Sequence, residues 1–230
     1  FAAVFQSQGA DPVGPIRSGR TQDVALLGSL NKPLFAWSGG NGRVTAAIEA
    51  SDLFSLSNLN SRIQKQAGFF RSNVHQSPHN LYAQTTGLWT FTPIFHGPPA
   101  AQFTYRAAGA APTGAPSTGV SLVMSGFKMD WTWDAASGTY LRTSEGKVHK
   151  DALTGNQLST NNVIVLVVDY RPSPADGNSP EAQTLGSGQV MVFTGATMVT
   201  GTWERADRLD PFTLKDADGK VIELMPGSTW

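Results

Sequence analysis

A stretch of strictly alternating side chains constrains the fold of this chain more than any other feature. From Lys128 to Asp134, Met and Trp residues occupy every second position, and Asp and Thr residues lie between them. This period of two predicts a β-strand with one apolar and one polar face. Ala135 to Gly138 form a turn signal, and Thr139 to Thr143 can return as the second strand of a hairpin. We therefore expect the second half of the chain to be rich in β-structure.

Further segments of the second half also have the composition of strands. The continuous apolar run Val163 to Val168 predicts a central strand. The pair Asp218-Gly219 predicts a hairpin turn between the last two strands. The remaining strands are predicted at residues 120–125, 188–194, 198–204, 212–215 and 221–224.

The first half alternates between strand and helix signals, which is typical of an α/β layer. Strands are predicted at Phe1 to Ser7 and Leu34 to Trp37. One helix is expected after an N-cap at Thr21, with Asp23 in its first turn, and a second after an N-cap at Asn41. Ser77-Pro78 resembles a third helix start, which would place His79 and Asn80 in a first turn.

A connector rich in Ala, Pro and Gly, residues 97–119, separates the two halves and contains a short strand at Gln102 to Arg106. We therefore expect an α+β fold with an α/β domain at residues 1–117. A β-rich domain at residues 118–230 is expected to pack closely on it. Because the chain opens on an apolar segment without an initiator Met, we also expect that an upstream part of the parent protein precedes Phe1.

Composition excludes several classes of function. The chain has no cysteine, so it has neither disulfides nor thiol nucleophiles. Its net charge is zero, but residues 1–118 carry eight Lys/Arg and four Asp/Glu, whereas residues 119–230 carry nine and thirteen. The balance is thus +4 and −4, which indicates either two mutually attracting halves or a basic face for an anionic ligand. A nucleic-acid-binding protein would show a larger and more clustered basic excess, so nucleic acid is not an expected partner.

The segment from Val13 to Thr21 is the candidate site. Arg17 and Arg20 stand three apart among glycines, just before a predicted helix start. Guanidinium groups bind carboxylates and phosphates through paired N–H donors, and a helix N-terminus adds free N–H groups. The Ser18 hydroxyl and the Thr21 N–H could supply further donors. Alternatively, the arginines bind loop carbonyls or pair with Asp11 and Asp23, and both interpretations stay open.

His79 has three interpretations. It could be a general base held neutral at a helix start, a ligand-binding residue beside Asn80 and Arg71, or a structural residue bonded to a neighbouring loop. The set Ser18, His79 and Asp23 is a conceivable catalytic group, but no nucleophile motif surrounds Ser18.

Other motifs give weaker signals. The spacing of the remaining histidines, His75, His96 and His149, matches no metal-binding pattern, and we expect neither a metal nor a cofactor. Gly39-Gly40-Asn41-Gly42 lacks the Gly-Lys-Ser/Thr ending of a nucleotide-binding loop, although its freedom could let a ligand approach the backbone. Trp131 and Trp133 are interpreted as core residues rather than as a sugar-stacking platform, because Met129 extends the same apolar stripe. Trp203 and Trp230 are likewise interpreted as core.

A set of motifs in fixed order is similar to a known family. It comprises Phe5-Gln6-Ser7, Val13 to Arg20, Phe70-Arg71, Pro78 to Tyr82, Trp131, Tyr140-Leu141-Arg142 and Trp203. With these motifs the chain resembles the YerB-like family of bacterial lipoproteins, which is built from two adjoining domains of unknown function. The resemblance implies an α+β sandwich of β-sheets with a helical layer. It also implies an extracytoplasmic parent that reaches the membrane only through an upstream lipid anchor. It implies no catalytic residues.

Three functions follow as hypotheses. The first, which we prefer, is non-enzymatic binding of an anionic envelope ligand (a cell-wall glycan, phosphate or carboxylate group) or of a protein partner. The residues expected to bind it are Arg17, Ser18, Arg20, Arg71, His79 and Asn80. The second is an envelope hydrolase or transferase that uses His79 with an oxyanion clamp formed by Arg17 and Arg20. The third is a scaffold subunit of a membrane-associated complex.

Overall fold

The chain has the α+β architecture that the sequence predicts. The computed structural model describes residues 2–92 and 97–230. None of the helices in this described part is long and apolar enough to cross a membrane. The α-helices are α1 (Thr21–Leu27), α2 (Gly42–Glu49), α3 (Ser61–Gln66) and α4 (Thr85–Trp89). The strands are β1 (Leu34–Trp37), β2 (Phe54–Ser57), β3 (Phe70–Arg71), β4 (Leu81–Tyr82), β5 (Ala115–Pro116), β6 (Gly119–Met124), β7 (Phe127–Asp134), β8 (Thr139–Ser144), β9 (Lys147–Val148), β10 (Ser159–Thr160), β11 (Asn162–Leu166), β12 (Tyr170–Ser173), β13 (Asp176–Ala182), β14 (Gly186–Thr194), β15 (Thr197–Arg205) and β16 (Thr213–Asp216).

These elements form two compact units that are not continuous in sequence. The first unit comprises Phe1–Ala100, Asp169–Thr184 and Asp207–Asp210. The second comprises Ala101–Val168, Leu185–Ala206 and Pro211–Trp230. The hairpin of β12 and β13 therefore belongs to the first unit although it lies far along the chain. The predicted domain boundary near residue 117 stays a prediction.

A strand–helix–strand element organises the first unit. β1 and β2 are parallel neighbours, and α2 lies between them in sequence. α2 begins where expected, because the Asn41 Oδ1 accepts a hydrogen bond of 3.0 Å from the Val44 N–H. Val44 and Ile48 on α2 pack with Trp37 at the end of β1. The predicted strand at Leu34 to Trp37 and the Asn41-capped helix are therefore confirmed.

Three local predictions in the first unit are wrong. Residues 2–7 form no strand and pair with no other described strand, so the side chains of Ala2 to Val4 are exposed rather than buried. The N-cap of α1 is Arg20 rather than Thr21. No helix begins at Ser77-Pro78, where the chain instead makes the turn of the β3–β4 hairpin. Pairing between the two hairpin strands uses the backbone groups that would have continued a helix.

The second unit contains two antiparallel sheets. One has the strand order β10-β8-β7-β6, with β9 beside β8. The other has the order β11-β14-β15-β16, with β5 beside β15. The predicted β7–β8 hairpin is confirmed, with Trp133 opposite Tyr140. The Asp218-Gly219 turn is also confirmed, since the Gly219 N–H bonds to the Asp216 carbonyl over 3.1 Å.

Aromatic residues form much of the core of this unit. Trp131 and Tyr140 from the first sheet are buried together with Val163 and Phe193 from the second. Trp131 is only 3% exposed, which confirms that it belongs to the core. Trp133 is partly buried against Tyr140. A second cluster of buried residues consists of Val190, Val192, Trp203, Leu214, Ile222 and Leu224.

Three strand predictions in the second unit need correction. β11 lies at the end of its sheet rather than in the middle, because β14 is the one strand named above that pairs with it. The terminal segment contacts the other side of β11, where Asn162 is bridged to Thr229. The segment 102–106 contributes a single bridge, from Tyr105 to Leu224. The predicted last strand, 221–224, is likewise reduced to bridges at Val221 and Leu224. The segments 102–106 and 221–224 form no continuous ladder, but some of their backbone N–H and C=O groups are hydrogen-bonded through these bridges.

Candidate functional site

The candidate site lies in the first unit, where the arginine-rich segment runs between two parts of the fold. We call residues 13–20 the arginine segment. Its beginning joins β4, because Val13 is bridged to Ala83 and the Ile16 N–H donates to the Leu81 carbonyl over 2.7 Å. Its end joins the loop that follows β1. There the Ser38 N–H donates to the Arg17 carbonyl over 2.9 Å, and the Gly19 N–H donates to the Gly39 carbonyl over 3.2 Å.

That loop is rich in glycine and leads into α2. We call residues 38–42 the glycine loop. Gly39 has a φ of +81°, which only glycine adopts readily. A Cβ added at Gly39 would lie 3.7 Å from the Ser18 hydroxyl oxygen, whereas one added at Gly42 would lie in open space. The backbone at Gly42 is therefore approachable, and the first-turn N–H groups of a helix have no partner within the helix.

Arg17 contacts His79 across these elements. The Arg17 Nη1 lies within hydrogen-bond distance of the His79 Nδ1 and 3.2 Å from its Nε2, and both residues are exposed. A guanidinium only donates hydrogen bonds, so the histidine ring is the acceptor in this contact. An imidazole ring carries no negative charge, so it does not compensate the charge of Arg17.

Arg20 is directed to other partners. Its guanidinium donates to the Gly19 carbonyl over 3.0 Å. Its charge also contributes to a lowered pKa of Asp176, whose main causes are hydrogen bonds from Ser179 and Asn178. The Asp23 carboxylate accepts a 2.8 Å hydrogen bond from the Arg20 backbone N–H, while burial raises the pKa of Asp23. The start of α1 is thus already occupied by a carboxylate of the chain itself.

Thr21 connects α1 to the β12–β13 hairpin. Its hydroxyl donates to the Glu181 carboxylate over 2.6 Å and lies 2.7 Å from the Ser173 hydroxyl. The sequence missed this contact because Ser173 is 152 positions away. Thr21 is therefore engaged in holding two elements of the first unit together.

Arg71 and Asn80 form a pair of their own within the β3–β4 hairpin. The Arg71 Nη1 donates to the Asn80 Oδ1 over 2.8 Å, and the Asn80 Nδ2 donates to the Ser72 carbonyl over 3.1 Å. Asn80 is adjacent in sequence to His79, so the two Arg contacts lie on neighbouring residues. Of the six predicted ligand-binding residues, the structure links Arg17 to His79 and Arg71 to Asn80. It places Ser18 beside the glycine loop and directs Arg20 to Gly19.

The alternative catalytic set is not connected by hydrogen bonds in the described part of the chain. His79 contacts Arg17 rather than Ser18, and Asp23 bonds to the Arg20 backbone. Within residues 2–92 and 97–230, no group of three or more His, Asp or Glu side chains is arranged to hold a metal ion. His149 lies in the second unit, where burial and the nearby Arg142 lower its pKa. His96 lies outside the described residues.

The association between the arginine segment and the glycine loop is the feature that sequence reasoning missed. Both segments were recognised as separate candidates, but nothing local predicts that they hydrogen-bond to each other. The order strand, glycines, Asn cap and helix at residues 34–49 was the available signal. In α/β layers, ligands bind where loops leave the carboxyl ends of parallel strands.

Comparisons with known proteins cover nearly the whole chain. Residues 1–94 match the family model described as "Protein of unknown function (DUF3048) N-terminal domain". Residues 120–230 match a second model, described as "Protein of unknown function (DUF3048) C-terminal domain". A protein of Bacillus subtilis (strain 168) named "Putative lipoprotein YerB" is 23% identical over 250 residues, covering 100% of this chain and 69% of the relative. The crystal structure of YerB protein from Bacillus subtilis matches with a TM-score of 0.81 at 19% identity, covering 99% of this chain and 76% of that one. The structural match supports the α+β fold.

Proposed function

Because the chain belongs to the YerB-like family, defined by the two DUF3048 domains, we propose that it is part of an extracytoplasmic lipoprotein that binds an anionic group. The name of the Bacillus relative supports the lipoprotein part of this proposal. A lipid anchor outside residues 1–230 would attach the protein to the membrane. The binding site would be formed by Arg17 and the glycine loop in the first unit.

The observation that carries the proposal is the position of Arg17. Its backbone is fixed by the hydrogen bond to Ser38, at the loop that leads into α2. Among the described residues, no carboxylate lies within ion-pair distance of its guanidinium. An exposed guanidinium that lacks an internal counter-ion favours an external anion.

The neighbouring groups suit a phosphate or carboxylate ligand. Ser18 lies beside Gly39 and offers a hydroxyl donor. The open space at Gly42 would let an anion reach the N–H groups of Gly42 and Arg43 at the start of α2, whereas the Val44 N–H is bonded to Asn41. His79 would keep Arg17 in position through the contact between its ring and the guanidinium. In the cell envelope, ligands of this chemistry include phosphate-bearing polymers and the peptide carboxylates of cell-wall glycans.

Calorimetric titration with inorganic phosphate, a glycerol-phosphate oligomer and a muropeptide tests the proposal. We expect at least one ligand to bind, and Arg17→Ala to weaken its affinity at least tenfold. Arg62→Ala is the matched control, because Arg62 is exposed on α3 in the same unit. Unchanged affinity of Arg17→Ala would refute the site.

Gly42→Ala provides a second and sharper variant. The added methyl group meets no atom within 4 Å, so the fold should accept it. A ligand that approaches the α2 backbone would nevertheless collide with the methyl group. We expect weaker binding with thermal stability equal or slightly raised, because alanine favours a helix more than glycine does. Equal binding would show that the ligand does not reach α2.

A further inference from the structure

One end of the first sheet in the second unit carries two tight turns side by side. The β6–β7 turn has positive φ at Ser125 (53°) and Gly126 (83°), and the β8–β9 turn has positive φ at Glu145 (51°) and Gly146 (70°). Positive φ at both central residues is the pattern of a type I′ turn, the tightest hairpin connection. The Glu145 N–H donates to the Lys128 carbonyl over 2.9 Å, which joins the two hairpins at this end.

The side chains around these turns are apolar and unusually exposed. Val123 is 70% exposed, Met124 49%, Phe127 63% and Val148 51%. We call these four residues the apolar tip. Two positions further along β7 the exposure falls to 9% at Met129. Exposed apolar groups gathered at one place mark an interaction site more often than single exposed residues do.

The apolar tip presents apolar side chains on both faces of the sheet. Met124 is paired with Phe127 and shares the face of the buried Met129. Val123 is paired with Lys128 and therefore lies on the opposite face. Val148 is paired with Thr143, which faces the same way as Lys128. A flat protein surface would cover one of these faces, whereas a bilayer surrounds an inserted tip and covers both.

Two lysines lie at the base of the apolar tip. Lys128 follows Phe127 directly and lies 3.7 Å from the Asp130 carboxylate, but its side chain is 57% exposed, and such a surface ion pair contributes little, so Lys128 can exchange it for a lipid phosphate. The exposed Lys147 lies in the neighbouring hairpin. The acidic residue between them, Glu145, has its carboxylate bonded to the Lys128 backbone N–H. Lysines next to an apolar segment bind anionic lipid headgroups while the apolar side chains enter the acyl boundary.

We propose that the apolar tip inserts into an anionic phospholipid bilayer, with Lys128 and Lys147 at the headgroups. The tip is a second membrane contact, separate from any lipid anchor, and it orients the second unit against the membrane surface. The inference does not depend on the Arg17 site, because the two lie in different units and are tested with different ligands.

Vesicle co-sedimentation of the 230-residue chain tests the proposal directly. We expect binding to vesicles of phosphatidylglycerol and phosphatidylcholine, and weaker binding to phosphatidylcholine alone. The double substitution Met124→Ser/Phe127→Ser should reduce partitioning at least tenfold, or about 1.4 kcal/mol. The matched control is Leu59→Ser/Val74→Ser, which removes two apolar side chains that are 69% and 79% exposed in the first unit. Equal loss in both variants, or no partitioning of the unaltered chain, overturns the proposal.

A site-specific probe distinguishes insertion from surface adsorption. The chain has no native cysteine, so Val123→Cys can be labelled alone with an environment-sensitive dye. Ala136→Cys, in the exposed turn at the opposite end of β7, is the control. We expect a blue shift on anionic vesicles at residue 123 and none at residue 136. Equal emission shifts at both positions overturn the proposal, as does an unshifted dye at residue 123.

The lysines have their own test. Lys128→Gln/Lys147→Gln should remove the preference for anionic vesicles and leave the apolar insertion into phosphatidylcholine unchanged. A preference that survives this double substitution contradicts the headgroup contact.

Discussion

Replacing Asn162 by alanine should destabilise the second unit strongly. Asn162 is fully buried at the start of β11. Its Nδ2 donates to the Met225 carbonyl over 2.8 Å, and its Oδ1 accepts from the Thr194 hydroxyl over 2.7 Å and the Met225 N–H over 3.0 Å. Weaker contacts of 3.2 and 3.4 Å reach Thr229 and Ser228. One side chain thus joins β11, β14 and the terminal segment.

The size of the effect follows from these bonds. Each short hydrogen bond contributes about 1 kcal/mol net, so three of them give about 3 kcal/mol, and unsatisfied buried partners add to the loss. For a chain of this length, about 3 kcal/mol corresponds to a fall of about 6–12 °C in Tm. Calorimetry of Asn162→Ala measures this fall, with the exposed Asn156→Ala as the control. A change below about 2 °C would refute the role assigned to Asn162.

Three further perturbations test other parts of the fold. Hydrogen bonds from Thr86 and Thr85 at the start of α4 lower the pKa of Asp11. The stabilisation that the Asp11 carboxylate provides is therefore complete above its ordinary pKa of 3.8 and is lost as the pH falls below that value. In thermal unfolding measured across this pH range, Asp11→Asn should remove this acid-dependent part of Tm. A Cβ on Gly201 would overlap the Lys215 carbonyl. Gly201→Ala should therefore lower the free energy of unfolding, measured with denaturant, by about 3 kcal/mol or more. Gly177→Ala is the control, because its Cβ would lie in open space. Burial raises the pKa of Tyr140 to about 12, whereas in the unfolded chain the phenol ionises near pH 10. Stability is therefore retained below pH 10 and falls as the pH rises towards 12. Tyr140→Phe should abolish this alkaline loss in unfolding experiments, and an unchanged alkaline profile would contradict the assignment.

Local signals were sufficient where an element depends on its own residues. The β7–β8 hairpin follows from alternation and a turn of small residues, and both appear in the structure. The start of α2 follows from one capping side chain, Asn41, which bonds within its own first turn. In each case the determining contacts join residues close in sequence.

The same kind of signal failed at Ser77-Pro78. Its residues suit a helix start, yet the chain turns there because residues on both sides pair as β3 and β4. The Ser72 N–H bonds to the Asn80 carbonyl over 2.8 Å and closes the hairpin. A competing partner eight positions away therefore outweighed a local preference.

The amino-acid sequence alone was enough to establish the α+β class, the β-rich second half, the family resemblance and the list of candidate anion-binding residues. Which side chains contact each other was decided by the tertiary structure. Arg17 reaches His79 across 62 positions, and Asp11 reaches Thr85 across 74. Side-chain periodicity reports the environment of a residue but not the identity of a distant partner. That identity depends on how strands and loops pack, and packing is a property of the whole chain.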